Sequence, residues 1–229
     1  AAGTLAAARR LWAEIDRPNA MIKIPATPAG IEAIADAIAD GINVNVTLIF
    51  SPKQLAAVQG AYHTGIERRF SAGFPVDRIS SVASVFISRV DSLLDPRLPA
   101  TLQGKTAIAF AAAAYGEWLS LPPLPGGARQ QMLLWASTST KNATYRDVIY
   151  VEELIGRGTV NTVPDATLAA FRDHGEAAER LSGHVSDAAA QLAAVAAAGV
   201  DLEAAGEELL DAGLKQFDDA FAKLLALVV

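Results

Sequence analysis

Two periods alternate along the chain. Short apolar runs, some with polar residues at every second place, are followed by longer stretches whose apolar residues recur every three or four places. AMIKIP (20–25) reads as a strand, and TPAGIEAIADAIADG (27–41) as the helix behind it. Thr27 is placed to cap that helix, Pro28 sits at its first position, and Gly41 closes it. Ile31, Ile34 and Ile38 share one face, which predicts packing against a sheet. INVNVTLIF (42–50) is the next strand, with Val44, Val46 and Leu48 alternating against Asn45 and Thr47, and Ser51-Pro52 opens another helix. SSVASVFIS (80–88), QMLLWAS (131–137) and GTVNTVP (158–164) predict three further strands. RVDSLLD, TAIAFAAAAYGEWL and DATLAAFRDHG supply helices beside them. A helix over 5–15 comes first, and 176–229 reads as a nearly continuous helical tail with Gly199 as a stop and Asp201 as a cap.

Strands that alternate with amphipathic helices imply βαβ units and a parallel sheet. No G-x-G-x-x-G follows any strand, which weighs against a dinucleotide-binding fold. Polar residues instead stand within or just after the strands: Lys23, Asn45, Thr47, Ser84, Arg89, Ser137 and Lys141. The expected fold is therefore α/β of the (β/α)8 TIM-barrel type, whose active sites lie at the C-terminal ends of the strands. One domain over 1–229 is predicted, with 176–229 as its tail.

Composition narrows the function classes. The chain has 229 residues, 52% of them hydrophobic and 19% charged, with a net charge of -6. That is enough apolar material for one large core and too little charge for a disordered chain. The acidic balance argues against nucleic acid or an anionic membrane surface as partner. The longest Ala-rich stretch is interrupted by Gly116 and Glu117 and is short for a membrane span, and no secretory signal is visible. A cytoplasmic protein is expected. The absence of cysteine excludes disulfides and thiol catalysis. His63, His174 and His184 lack the spacing of helical metal ligands and read as surface or cap residues, so no metal is expected.

Lys23 carries the candidate chemistry. An ammonium held in an apolar strand is penalised for its charge, and burial frees the amine. A free amine attacks a carbonyl carbon to give a carbinolamine and then an imine, which serves as an electron sink. Alternatively Lys23 lies on an edge and reaches solvent along its stem. IPATPAG comes directly after Lys23, and GINVNVTLIFS occupies 41–51. The pair closely resembles transaldolase, the class I Schiff-base family. SVFISRVD is similar to the sixth strand of that family, LLWASTSTKNATY to the seventh and its loop, and VNTVPDATLAAF to the eighth. The resemblance implies that Lys23 is the Schiff-base lysine, and that Asn45 and Thr47 lie near the reacting carbon with Thr47 holding a catalytic water. It implies that Ser84 contacts the hydroxyls of the dihydroxyacetone unit and that Arg89 and Ser137 bind the substrate phosphate. It further implies sugar-phosphate substrates, a place in the pentose phosphate pathway, and no cofactor. Read without it, Asn45 and Thr47 are the polar face of a strand, Ser84 and Ser137 are strand-end residues, Thr27 is equally a cap or a site residue, and Arg89 could pair with Asp91 or Asp95.

The chain departs from the family at three places. Ser88 stands where many members have glycine before the arginine. STSTK stands where many have a second phosphate-binding arginine, so Lys141 is the candidate for that charge. Counterparts of the first three strands, with their proton-handling carboxylates, are not found. The expectation is strands four to eight, as an open arc ordered as in the sequence, with Lys23 on an edge and no turnover by these residues alone. A lysine-dependent aldolase of the same fold and a non-catalytic fragment are the rival readings.

Overall fold

The structure is a computed structural model and describes residues 1–227. Five parallel strands form its sheet: β1 (Ile22–Pro25), β2 (Val44–Ile49), β3 (Ser81–Phe86), β4 (Met132–Ala136) and β5 (Val160–Asn161). They lie side by side in chain order, so β1 and β5 are the two edges of an open arc. Lys23 is in register with Asn45, and Pro25 with Thr47.

Helix α1 (Ala2–Ile15) precedes β1, and the helices that connect the strands follow from local chemistry. In α2 (Pro28–Ala39) the Thr27 hydroxyl accepts from Gly30 N at 2.9 Å, and in α3 (Pro52–Ser71) the Ser51 hydroxyl accepts from Gln54 N at 3.3 Å. Proline at the first position of each leaves no amide to satisfy there. Thr27 is thus a cap. Ile34 and Ile38 of α2, Tyr62 and Ile66 of α3, and Phe110 of α5 (Thr106–Leu119) are buried with Ile22, Ile24, Val44 and Val46 in one core. The opposite face of the sheet presents Lys23, Asn45, Thr47 and Ser84.

Several elements differ from expectation. The alternation in β2 ends at Thr47, because Leu48 takes a left-handed conformation (φ 61) and the register against β3 shifts between Val46 and Ile49. Leu48 is consequently aimed at a helix that arrives from far along the chain. Ser88 leaves the strand and begins α4 (Ser88–Leu94), and β5 is shorter than its apolar run. A single-turn helix, α6 (Ile149–Glu152), stands between β4 and β5 and has no sequence signal of its own. After α7 (Asp165–His174) the tail is not continuous: 175–180 are irregular, and then come α8 (Leu181–Ala197) and α9 (Leu202–Leu225). Gly199 (φ 85) does make the stop, and the Asp201 carboxylate caps α9 by accepting from Glu203 N and Ala204 N. No single helix among the described residues is long and apolar enough to cross a membrane, and α8 and α9 reach that apolarity only together, across an 85° bend.

Candidate active site

The C-terminal ends of β1 and β2 open on a cleft of about 320 Å³. β1 contributes Lys23 and Pro25, β2 contributes Thr47 and Leu48, and α9 contributes Leu214, Phe217 and Asp218. Lys23 is exposed, because β1 has no neighbour on its outer side and the Lys23 face of the strand is uncovered. Of the two readings of Lys23, burial in the strand and a place on an edge, the structure has the second. Thr47 is 4% exposed, and its Oγ1 is buried without a hydrogen-bond partner among the described residues. A buried hydroxyl left unpaired costs stability, and such groups are exceptional enough to call for a reason.

Beside them Ser84 Oγ donates to Asn45 Oδ1 at 2.8 Å, which fixes the amide of a residue in register with Lys23. Arg89, at the start of α4, lies over the Phe86 ring with its guanidinium carbon 5.3 Å from the centroid. It does not pair with either nearby aspartate. Asp91 accepts from Ala107 N at 2.8 Å and from the Tyr150 hydroxyl at 2.7 Å, and Asp95 accepts from Gly104 N and the Tyr145 hydroxyl. Instead Arg89 approaches α9: a methyl group on Gly213 would stand 3.0 Å from Leu48 Cδ2 and 3.8 Å from Arg89 Nη1. Arg89 thus reaches the same helix that walls the lysine cleft.

Ser137 takes a left-handed conformation (φ 56) just after β4. Its Oγ is 3.1 Å from Ser88 Oγ, and its carbonyl accepts from Ser88 N at 3.0 Å. Ser88 therefore ties the start of α4 to the end of β4, next to Arg89. Lys141 is not brought to the cleft. Its Nζ donates to Ser139 Oγ at 2.7 Å, and it lines a separate hollow of about 240 Å³ with Ser92, Asp95 and Tyr145. Nor does any histidine line the cleft: His63 meets Gln130, His174 meets Asp147 and Asp173, and His184 meets Glu153. The residues that sequence reasoning passed over are Leu214, Phe217 and Asp218. Their one signal was an amphipathic tail helix with Leu214, Phe217 and Phe221 spaced to share a face.

A parallel sheet whose strand ends gather a lysine, an amide, hydroxyls and an arginine has the arrangement of a barrel-type enzyme site. Residues 1–228 match the family described as Transaldolase/Fructose-6-phosphate aldolase. Relatives named Transaldolase include those of Neisseria gonorrhoeae, 52% identical over 100% of this chain and 67% of the relative, and Thiobacillus denitrificans, 48% identical over 98% of this chain and 66% of the relative. A third, from Frankia alni, is 46% identical over 98% of this chain and 65% of the relative. The chain belongs to the transaldolase/fructose-6-phosphate aldolase family, and its relatives' name makes it transferase sequence. It spans about two thirds of the length of these relatives.

Proposed function

We propose that the enzyme moves a dihydroxyacetone unit from a ketose phosphate to an aldose phosphate through an imine on Lys23. The observation that carries this is Lys23 standing in one cleft with the unpaired, buried Thr47 hydroxyl. The Lys23 amine adds to the ketose carbonyl, and loss of water gives the protonated imine. Its positive nitrogen takes up the electrons released when the next carbon–carbon bond out from the imine carbon breaks. The hydroxyl on the departing carbon gives its proton to water and becomes the aldehyde of an aldose phosphate, and an enamine is left. The enamine carbon attacks the aldehyde of a second aldose phosphate, and water releases the new ketose. No further electron sink is required. Thr47, whose hydroxyl lacks a partner among the described residues, is suited to hold the water that adds to the imine. Asn45, held by Ser84, and Ser84 itself meet the hydroxyls of the three-carbon unit. Arg89 receives the phosphate with Ser137 beside it, while Lys141 acts as an outlying cation on the loop after β4.

The test is borohydride reduction of the full-length polypeptide in the presence of fructose 6-phosphate, followed by peptide mapping. A dihydroxyacetone-sized adduct on Lys23 is expected, and an adduct on another lysine overturns the assignment. Lys23→Arg should abolish it, since a guanidinium stays protonated. The family description also names an aldolase, which favours a second reading, release of dihydroxyacetone in place of transfer. Formation of sedoheptulose 7-phosphate from added erythrose 4-phosphate separates the two.

A further inference from the structure

The position of α9 is held by close contacts. Glu203 accepts from Ser51 Oγ at 2.5 Å and from Lys53 N at 3.0 Å, at the beginning of α3. Gly206 lets the helix settle on Ser51, since a methyl group there would stand 2.7 Å from Ser51 Cβ. Gly213, two turns further along the same face, does the same against Leu48. These contacts bring the next turn of the helix to the cleft. Phe217 stands there as a large apolar residue 54% exposed, with Leu214 beside it and Lys23 and Thr47 also lining the space. The ring thus walls the α9 side of the cleft that holds the Lys23 amine and the Thr47 hydroxyl.

We propose that Phe217 is a specificity-determining residue: its ring covers the lysine-bound three-carbon unit on the α9 side and favours transfer over premature release. The proposal rests on the imine at Lys23. At the enamine stage two fates compete. Release consumes one water: a proton goes to the enamine carbon, the water oxygen becomes the ketone oxygen of dihydroxyacetone, and the remaining hydrogen stays on the Lys23 nitrogen. Transfer puts the aldehyde carbon of an acceptor on the same enamine carbon in place of that proton. A ring that excludes solvent from the carbon slows the first without obstructing an acceptor that enters from the Arg89 side. Asp218, next to Phe217 in the cleft wall, adds a negative charge that keeps the acceptor phosphate from the Lys23 end of the cleft and leaves it to Arg89, by Gly213.

The experiment measures, in the full-length polypeptide with fructose 6-phosphate and erythrose 4-phosphate, the ratio of dihydroxyacetone released to sedoheptulose 7-phosphate formed. Phe217→Ala should raise that ratio roughly tenfold, the scale of one modest interaction at a transition state. In heavy water the released dihydroxyacetone should carry correspondingly more deuterium per turnover of donor. Phe217→Leu, which keeps apolar bulk, should restore most of the parent ratio, an outcome that loss of folding would not produce. Borohydride trapping runs alongside. An equal Lys23 adduct in parent and variant with an unchanged ratio overturns the role of Phe217 and leaves the Lys23 reading standing. A missing adduct in the parent overturns the Lys23 reading, and the role of Phe217 with it.

Discussion

Removing the Arg89 guanidinium takes a cation from the mouth of the sheet without stranding an acid, since Asp91 and Asp95 are each satisfied by a tyrosine hydroxyl and a backbone amide. Arg89→Ala should therefore fold normally and lower kcat/KM for fructose 6-phosphate by about 2–3 kcal/mol, the worth of hydrogen bonds to a charged group. Trapping of unphosphorylated dihydroxyacetone on Lys23 should change little, and equal losses for both would mean a structural role. Thr47 makes the opposite kind of prediction. Its Oγ1 is buried without a partner among the described residues, so Thr47→Val removes an unmet desolvation cost while keeping the shape. Unfolding free energy should rise by about 1 kcal/mol in urea titration while turnover falls. A loss of stability would mean that the hydroxyl is satisfied in solution. Gain in one and loss in the other is the signature of a group retained for chemistry.

The segments after β3 and β4 are joined by two phenol–carboxylate bonds, Tyr150 to Asp91 and Tyr145 to Asp95, both 2.7 Å. They hold the loop that carries Ser137 and Lys141 against the helix that carries Arg89. Tyr145→Phe should loosen this loop and raise KM for phosphorylated substrates more than it lowers kcat, read from initial rates. Asp91 is 1% exposed, and burial pushes its carboxyl up to about 6 against the bonds from Ala107 N and Tyr150. The folded chain binds this proton more tightly than the unfolded one, so the contribution of Asp91 is fully present below the ordinary carboxylate range and is lost as pH rises through about 6. Asp91→Asn should remove on the order of 2–3 kcal/mol of that pH dependence in denaturant titrations between pH 4 and 7. Glu152 works the other way: the hydrogen bond from Arg146 lowers its pKa, so its share of stability is present above the usual range and lost on acidification. None of these pairs was legible in the sequence, because each joins groups on different elements. The helix caps at Thr27 and Ser51 were legible, since their chemistry is local. So was the polar series from Lys23 to Ser84, which follows strand spacing. Leu48 was misread because a bulge breaks the period of two that the pattern assumes.

At the scale of the molecule, the five strands have the order expected of strands four to eight of a barrel, and the arc is open as expected. Its edges, β1 and β5, carry unpaired main-chain groups of the kind that natural sheets otherwise cover. The 229 residues alone should associate with rising concentration, measured by sedimentation, and show no transaldolase turnover. A monomer that turns over would mean that the open edge is harmless to Lys23. The sequence could not reveal the return of the last helix, because contacts such as Glu203 to Ser51 leave no periodic trace. That return bears on how the protein is made. Since each of β2 to β5 pairs with the strand before it, each can dock on a finished neighbour as the ribosome releases it. Helix α9 is the exception: it emerges after the strands and must travel back to Ser51 and Leu48. A nascent chain therefore displays its lysine unwalled on this side until α9 has emerged, and the α9 wall of the pocket is assembled after its strands.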